Sequence, residues 1–473
     1  MKHLIINGTG ISGLLFALLK VESGYQGQIH LVDKAKVAGG LLRRYQYGEN
    51  GDFDYGMHNF LETGVEALDA LVFGLLPESE WDLLEGSRRD LCGIYYQDRL
   101  QTTTPYVDLR HLPKDKYEAG LADFLRHLGT VPEVATSTAS AKDYFESKFG
   151  AVLAAQAMSP ILEKIHKRPA SELDFMATLF TPLSRVTLAD EFLSDQLTAS
   201  PWMRDRIAWG DQRTLPLERS SGRKAFYPKN YGMYRVVDAL LARLHKAGVK
   251  VHLDAQITNL TTASNRVQQV AVQSSVGNFT LDEINQVIWT TASPILAKML
   301  GVTMSDLGYD KPLRTVVVNL LLSQPVEAMQ DLYYFFCYQP GFHTYRVTYF
   351  PNYCSGAVRG GKYPLSMELL VEDALVSGGN DLAIIAQDEL RRLGMMRDGN
   401  QVVFAKAEIL EGGFPMPTMK NIAATRTLRE RIESLTLENL ALVGILAKDN
   451  MFFQHDVLRY VHQITRHQTS SQC

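Results

Sequence analysis

Three glycines and an aspartate near the start of the chain form a place for a phosphate-bearing cofactor. They stand as Gly8-Thr9-Gly10-Ile11-Ser12-Gly13 and Asp33. Gly8 permits a tight turn out of a strand. Gly10 lets the backbone approach a pyrophosphate, and Gly13 lets a helix pack closely on the strand. A helix starting there points unpaired N–H groups and a partial positive charge at the phosphates. Asp33 lies 20 residues past Gly13, where a carboxylate accepts a hydrogen bond from a ribose hydroxyl. The implied ligand is a dinucleotide.

Two other residues suit substrate chemistry. His58, in Phe53-Asp54-Tyr55-Gly56-Met57-His58-Asn59-Phe60, carries an imidazole whose ordinary pKa near 6.5 suits a proton carrier, and it serves either in that role or as a backbone-bonded brace for the turn. Arg346, in Phe342-His343-Thr344-Tyr345-Arg346-Val347-Thr348-Tyr349-Phe350, either grips a carboxylate or phosphate bidentately or braces two domains. The aromatic run Tyr333-Tyr334-Phe335-Phe336-Cys337-Tyr338 fills core on one face and leaves the other for a pocket. Arg213, Arg219, Arg223, Lys224 and Lys229 keep an anionic substrate open. Arg219-Ser220-Ser221-Gly222 lacks the G-x-S-x-G frame of a hydrolase.

The elements that must hold these residues are legible. Leu4-Ile5-Ile6 and Ile29-His30-Leu31-Val32 are strands around a helix over Leu14–Val21. Apolar residues at 236, 237, 240, 241 and 244 make a helical stripe. Gly248–Leu253 is a strand that continues past a kink through Ile257–Leu260. Val287–Trp289 and Leu440–Leu442 are further strands, and Gln454–Thr465 reads as a helix. Strands are expected at Thr315–Leu322, Leu332–Tyr338 and Thr344–Phe350, and a helix at Leu382–Leu393. Alternation puts Tyr345, Val347 and Tyr349 on one face, with Thr344, Arg346 and Thr348 on the other. Residues 66–214 read as mainly helical, at Val65–Leu76, Tyr117–Leu128, Ala141–Lys164 and Leu188–Leu197.

With Asp33, the Gly39-Gly40 pair beside Arg43 and Arg44, and the Asp54-Tyr55-Gly56-Met57-His58 turn, the chain resembles the flavoprotein superfamily of flavin amine oxidases, protoporphyrinogen oxidases and UDP-galactopyranose mutases. The resemblance resumes at Tyr227–Met233, at the Gly248-Val249 strand and at Leu440–Gly444. It implies that Gly8, Gly10, Ser12, Gly13, Asp33, Lys34, Gly39, Gly40 and Leu41 wrap FAD. It further implies that Ile257 brackets the adenine by its backbone, that His58 lies beside the flavin ring, and that Gly444 and Gln454 lie under the ribityl and pyrimidine. His58 and Arg346 are the candidate catalytic residues. The cysteine pentapeptide of covalent amine oxidases has no counterpart, so the implied FAD is non-covalent.

The implied architecture is α/β. A discontinuous Rossmann-type FAD-binding domain spans 1–65, 215–295 and 405–473. An inserted α+β substrate domain spans 66–214 and 296–404. The first functional reading is an FAD-dependent oxidoreductase that oxidises a small molecule by hydride transfer to flavin. The alternative is a mutase-like, redox-neutral enzyme acting on a nucleotide sugar through reduced flavin. The mutases' usual Gly-Arg stands here as Gly444-Ile445, which ranks that reading second. A non-enzymatic flavin-bound scaffold would need no pocket beside the ring, and a plain NAD-dependent dehydrogenase has no use for Gly39-Gly40 or His58.

Composition sets outer bounds. At 473 residues, two domains are the default. A net charge of −4 gives no reason to expect nucleic acid as a partner. No apolar run reaches the roughly 18 residues of a membrane span. Met1-Lys2-His3 runs straight into a strand, so the cytoplasm is the expected location. Cys92, Cys337, Cys354 and Cys473 are scattered, so reduced thiols and no metal are expected. Oligomeric state leaves no mark in the sequence.

Overall fold

A computed structural model describes residues 2–84, 92–127, 139–179, 181–215, 223–379, 381–410, 416–445, 447–449, 451 and 453–470. Arg219, Ser220, Ser221, Gly222 and Cys473 lie outside these residues.

Two sheets organise the chain. The first is a five-stranded parallel sheet in the order Lys250–His252, Gln28–Val32, His3–Asn7, Ile284–Trp289, Leu440–Leu442. His3–Asn7 (β1) is central and leads into the helix Ile11–Glu22 (α1), which returns the chain to Gln28–Val32 (β2). Leu4, Ile5 and Ile6 are fully buried because both faces of the sheet are covered. Leu14, Leu15, Phe16 and Leu18 of α1 are at most 1% exposed. Each such side chain contributes about 1.5–3 kcal/mol of burial energy. The helix is wedged between Tyr234–Lys246 and Gln454–Ser470.

The second sheet has seven strands, in the order Val402–Ile409, Arg314–Leu322, Tyr363–Val371, Thr344–Tyr349, Tyr334–Cys337, Cys92–Tyr96, Arg99–Gln101. The helix Leu382–Arg392 covers one face, sharing a core with Val347, Tyr349, Leu365 and Met367. A bundle from residues 109–207 forms a second core with Ile94, Phe336 and Tyr338.

Several expectations change. The strand Val402–Ile409 pairs with Arg314–Leu322, so the domain boundary expected at 405 falls inside a strand of the larger sheet. The segment 66–214 is not only helical: Trp81–Leu84, Cys92–Tyr96 and Arg99–Gln101 are strands. At three to five residues each, they are too short to show a period of two. The strand Ala255–Ala263 does not continue Lys250–His252. Asp254 takes a left-handed φ of 49° and turns the chain into a separate three-stranded antiparallel sheet.

Tyr345 is the sharpest departure. The pairing of Thr344–Tyr349 with Tyr363–Val371 slips between Thr344 and Arg346, so Tyr345 is an extra, bulged residue. It leaves the face of Val347 and Tyr349 and packs on Phe336, 5.2 Å between ring centroids. Thr344 is turned the other way and donates to Glu389 Oε2 at 2.5 Å.

No helix among the described residues is long and apolar enough to cross a membrane. Cys92, Cys337 and Cys354 are buried, and none forms a disulfide among the described residues.

Candidate active site

The glycines from three distant segments meet at the N-terminus of α1. Gly8 has φ +111°, and a Cβ there would lie 2.2 Å from Thr290 Oγ1. Gly13 is closed by the carbonyl of Gly8, 2.1 Å from a Cβ position. Gly39 and Gly40, at φ +114° and +57°, come back across the first loop. Gly39 N donates to Thr9 O at 2.9 Å, and a Cβ on Gly40 would sit 3.0 Å from Gly10 Cα. Gly444, at φ +115°, closes a third side: its Cβ position is 3.3 Å from Thr290 O and 3.6 Å from Ser12 Oγ. Gly10 caps α1 without a side-chain hydrogen bond, which leaves the first helical N–H groups directed outward. The result is a side-chain-free cradle at the positive end of a helix, suited to a diphosphate.

Asp33 stands at the edge of this cradle. Its Oδ2 accepts from Thr9 N and Thr9 Oγ1, both at 2.7 Å, and Oδ1 accepts from Ala35 N at 2.9 Å. Three of roughly four acceptor sites are used, which leaves one for a ligand hydroxyl. Ala255 N donates to Asp33 O, and Ile257 follows two residues past Ala255, its side chain in the core. Lys34 and Leu41 are exposed on the same connection. Thr9 was not singled out from the sequence, although a hydroxyl between two glycines was its signal.

Asp54 ties the histidine turn to the second half of the sheet domain. It is 1% exposed. Tyr227 Oη donates to its Oδ2 at 2.5 Å and Met233 N to its Oδ1 at 2.8 Å. Burial raises its pKa to about 7, against the lowering effect of these bonds. The Phe53–Phe60 and Tyr227–Met233 motifs, 173 residues apart in sequence, are therefore one structural unit.

His58 and Arg346 come together, with Glu368 between them. Glu368 is the strand partner of Arg346. Arg346 Nε and Nη2 donate to Oε1 at 3.1 and 2.6 Å, and Nη2 donates to Oε2 at 2.7 Å. The same Oε1 accepts from Met57 N at 3.1 Å. Gly56 takes φ +96°, a conformation that favours glycine, and its Cβ position lies in ordinary contact with Glu368 Oε1 at 3.4 Å and His58 Cε1 at 3.9 Å. Burial, then the Arg346 charge, lower the His58 pKa to about 4, partly offset by Glu368. His58 is thus neutral at neutral pH, and its Nδ1 is buried without a protein hydrogen-bond partner. Glu368 was missed in the sequence, where it is the one charge in Tyr363–Val371. A lone acid in an apolar strand was the available signal.

Gln454 opens the helix Gln454–Ser470. Its Nε2 is likewise buried without a protein partner, and this helix packs on α1 and on Phe60-Leu61. Two orphaned polar atoms and a glycine cradle fit a flavin dinucleotide. Of the basic cluster, Arg219 lies outside the described residues, Arg213 is held bidentately by Asp211, and Lys224 and Lys229 are exposed. Tyr333 and Phe335 face one core and Phe336 and Tyr338 the other, so the aromatic strand is packed on both faces.

The glycine cradle is of the dinucleotide-binding type, and the seven-stranded mixed sheet reaches the histidine turn through Glu368. Residues 6–72 match the NAD(P)-binding Rossmann-like domain family. No curated protein matches the chain by sequence. Among solved structures, a reduced UDP-galactopyranose mutase aligns over 99% of this chain and 94% of its own, with TM-score 0.76 and 16% identity. A provisionally named protoporphyrinogen oxidase from Exiguobacterium sp. 255-15 covers 99% of both chains at TM-score 0.69 and 15% identity. Wild-type putrescine oxidase bound to putrescine covers 99% of both at TM-score 0.60 and 12% identity. The chain has the fold of the amine-oxidase-like flavoproteins.

Proposed function

We propose that this protein is an FAD-dependent oxidoreductase that oxidises a small molecule by hydride transfer to non-covalent flavin. The observations that support the reading are the glycine cradle at an open helix N-terminus and the convergence of His58, from the turn after Asp52–Asp54, on Arg346 and Glu368 of the seven-stranded sheet. Gly8, Gly10, Ser12 and Gly13 would hold the diphosphate, with Gly39, Gly40, Lys34 and Leu41 along its flank. Asp33 would accept from the adenosine ribose, and the backbone at Ile257 would border the adenine. Gly444 and Gln454 would lie under the flavin. FAD, when bound, supplies the redox chemistry. The protein's part is to position, to exclude water and to hold charge. His58, neutral and with an unpartnered Nδ1, is available to hydrogen-bond the ring or the substrate. The discontinuous division into a cofactor domain and an inserted substrate domain belongs to the same proposal, with the final crossing placed after Ile409.

The visible spectrum of the purified protein tests this reading. Bands near about 370 and 450 nm that bleach anaerobically with an amine or another reductant substrate are expected of a flavin oxidoreductase. A colourless protein that FAD cannot reconstitute overturns it.

The Tyr345-Arg346 strand favours a second reading, a redox-neutral enzyme acting on a nucleotide sugar. Sugar turnover only after prereduction with dithionite, with no bleaching by any substrate, would decide for it.

A further inference from the structure

The strand Tyr363–Val371 reads Tyr-Pro-Leu-Ser-Met-Glu-Leu-Leu-Val. A carboxylate in such surroundings carries a desolvation penalty unless a cation and hydrogen-bond donors meet it. Glu368, 5% exposed, meets both. Two nitrogens of Arg346 close on it at 2.6–3.1 Å, and Met57 N adds a bond from the His58 turn.

The other side of Arg346 is aromatic. Tyr334, Phe336 and Tyr345 each place a ring centroid 5.9 Å from its guanidinium carbon. Tyr345 is there only because of the bulge. An arginine among rings and without an internal acid would be a ready receptor for an aromatic carboxylate or a phosphate. Here the fork is already occupied by a carboxylate on the neighbouring strand, whose effective concentration exceeds that of a free anion.

We infer that Glu368 is a specificity-determining residue, which fills the guanidinium fork of Arg346 and directs the site to small molecules without an anionic group. The inference rests on the proposed function in taking this cluster to face the substrate. Neutral His58 is consistent with it: Arg346 and Glu368 cancel, and the three side chains together bring no net charge.

The test is thermal unfolding and visible spectroscopy of the flavin-loaded protein with benzoate and with inorganic phosphate. Neither anion is expected to shift the wild-type Tm. Glu368→Gln keeps an acceptor for Met57 N and opens the fork, so benzoate should raise its Tm and bind at least about tenfold more tightly than to wild type. Adding Arg346→Gln should abolish that gain. A folded Glu368→Gln protein that gains no benzoate affinity overturns the inference. The wild-type arm stands without that variant: benzoate binding that Arg346→Gln alone abolishes also overturns it. The flavin band separates this from the broader reading. Benzoate that stabilises Glu368→Gln and perturbs the band supports both. Stabilisation with an unchanged band upholds the role of Glu368 and removes the cluster from beside the flavin.

Discussion

Asp54→Asn should change how stability depends on pH, because Asp54 is a buried acid held by two donors. Its pKa stands at about 7, raised by burial from an ordinary value of 3.8. Between these values the native protein keeps a proton that the unfolded chain has released. The stabilisation from this carboxyl is therefore full below about pH 4 and lost as pH rises through 7. At about 1.4 kcal/mol per pH unit the total is on the order of 4 kcal/mol. Asparagine has no proton to lose and can still accept from Met233 N through its amide oxygen. The expected result is that Asp54→Asn gains about 4 kcal/mol relative to wild type between pH 4 and pH 8. His30, His58 and His166, each lowered by burial to about 4, act with the opposite sign in both proteins and cancel in the difference. Urea unfolding followed by tryptophan fluorescence at pH 4, 6 and 8 measures it. A difference between the two proteins that stays constant to within about 1 kcal/mol across that range would refute the argument.

Gly40→Ala must take a left-handed conformation at about 1–2 kcal/mol and push Gly10 away, so flavin content per chain should fall several-fold. Gly24→Ala, at φ +75° with nothing within 4 Å of its Cβ position, is the control that should leave flavin content unchanged. Arg346→Met strands a buried carboxylate and should cost about 3–5 kcal/mol, with more than half regained when Glu368→Met is added, as read from urea midpoints. His30 is lowered to about 4 by burial and then by His252, His3 and Lys250. Native His30 thus refuses a proton that the unfolded chain accepts below 6.5, and stability is lost as pH falls from 6.5 towards 4. His30→Phe should remove about 3 kcal/mol of that acid-side loss. For the same reason a pH profile of kcat/KM should show no inflection near 6.5 that His58→Gln removes.

The nucleotide cradle was legible in the sequence because it is made by local rules. A glycine is needed wherever the backbone takes positive φ or touches another backbone, and Gly8, Gly13, Gly39 and Gly40 announce those needs one residue at a time. The parallel strands and α1 were legible for a related reason: apolar periodicity is a property of a short window. The tertiary structure decided what those windows face. Glu368 looked like one charge in an apolar strand until pairing set it against Arg346 and the Met57 amide. Asp54 looked like part of a turn until Tyr227 and Met233 closed on it from 173 and 179 residues away. Tyr345 changed faces through a single bulge, which alternation within one strand cannot report because it arises from the register between two. The sequence alone determined where a dinucleotide can lie. Cross-strand register and burial determined which charges meet one another, because those meetings depend on contacts between residues that no local pattern connects.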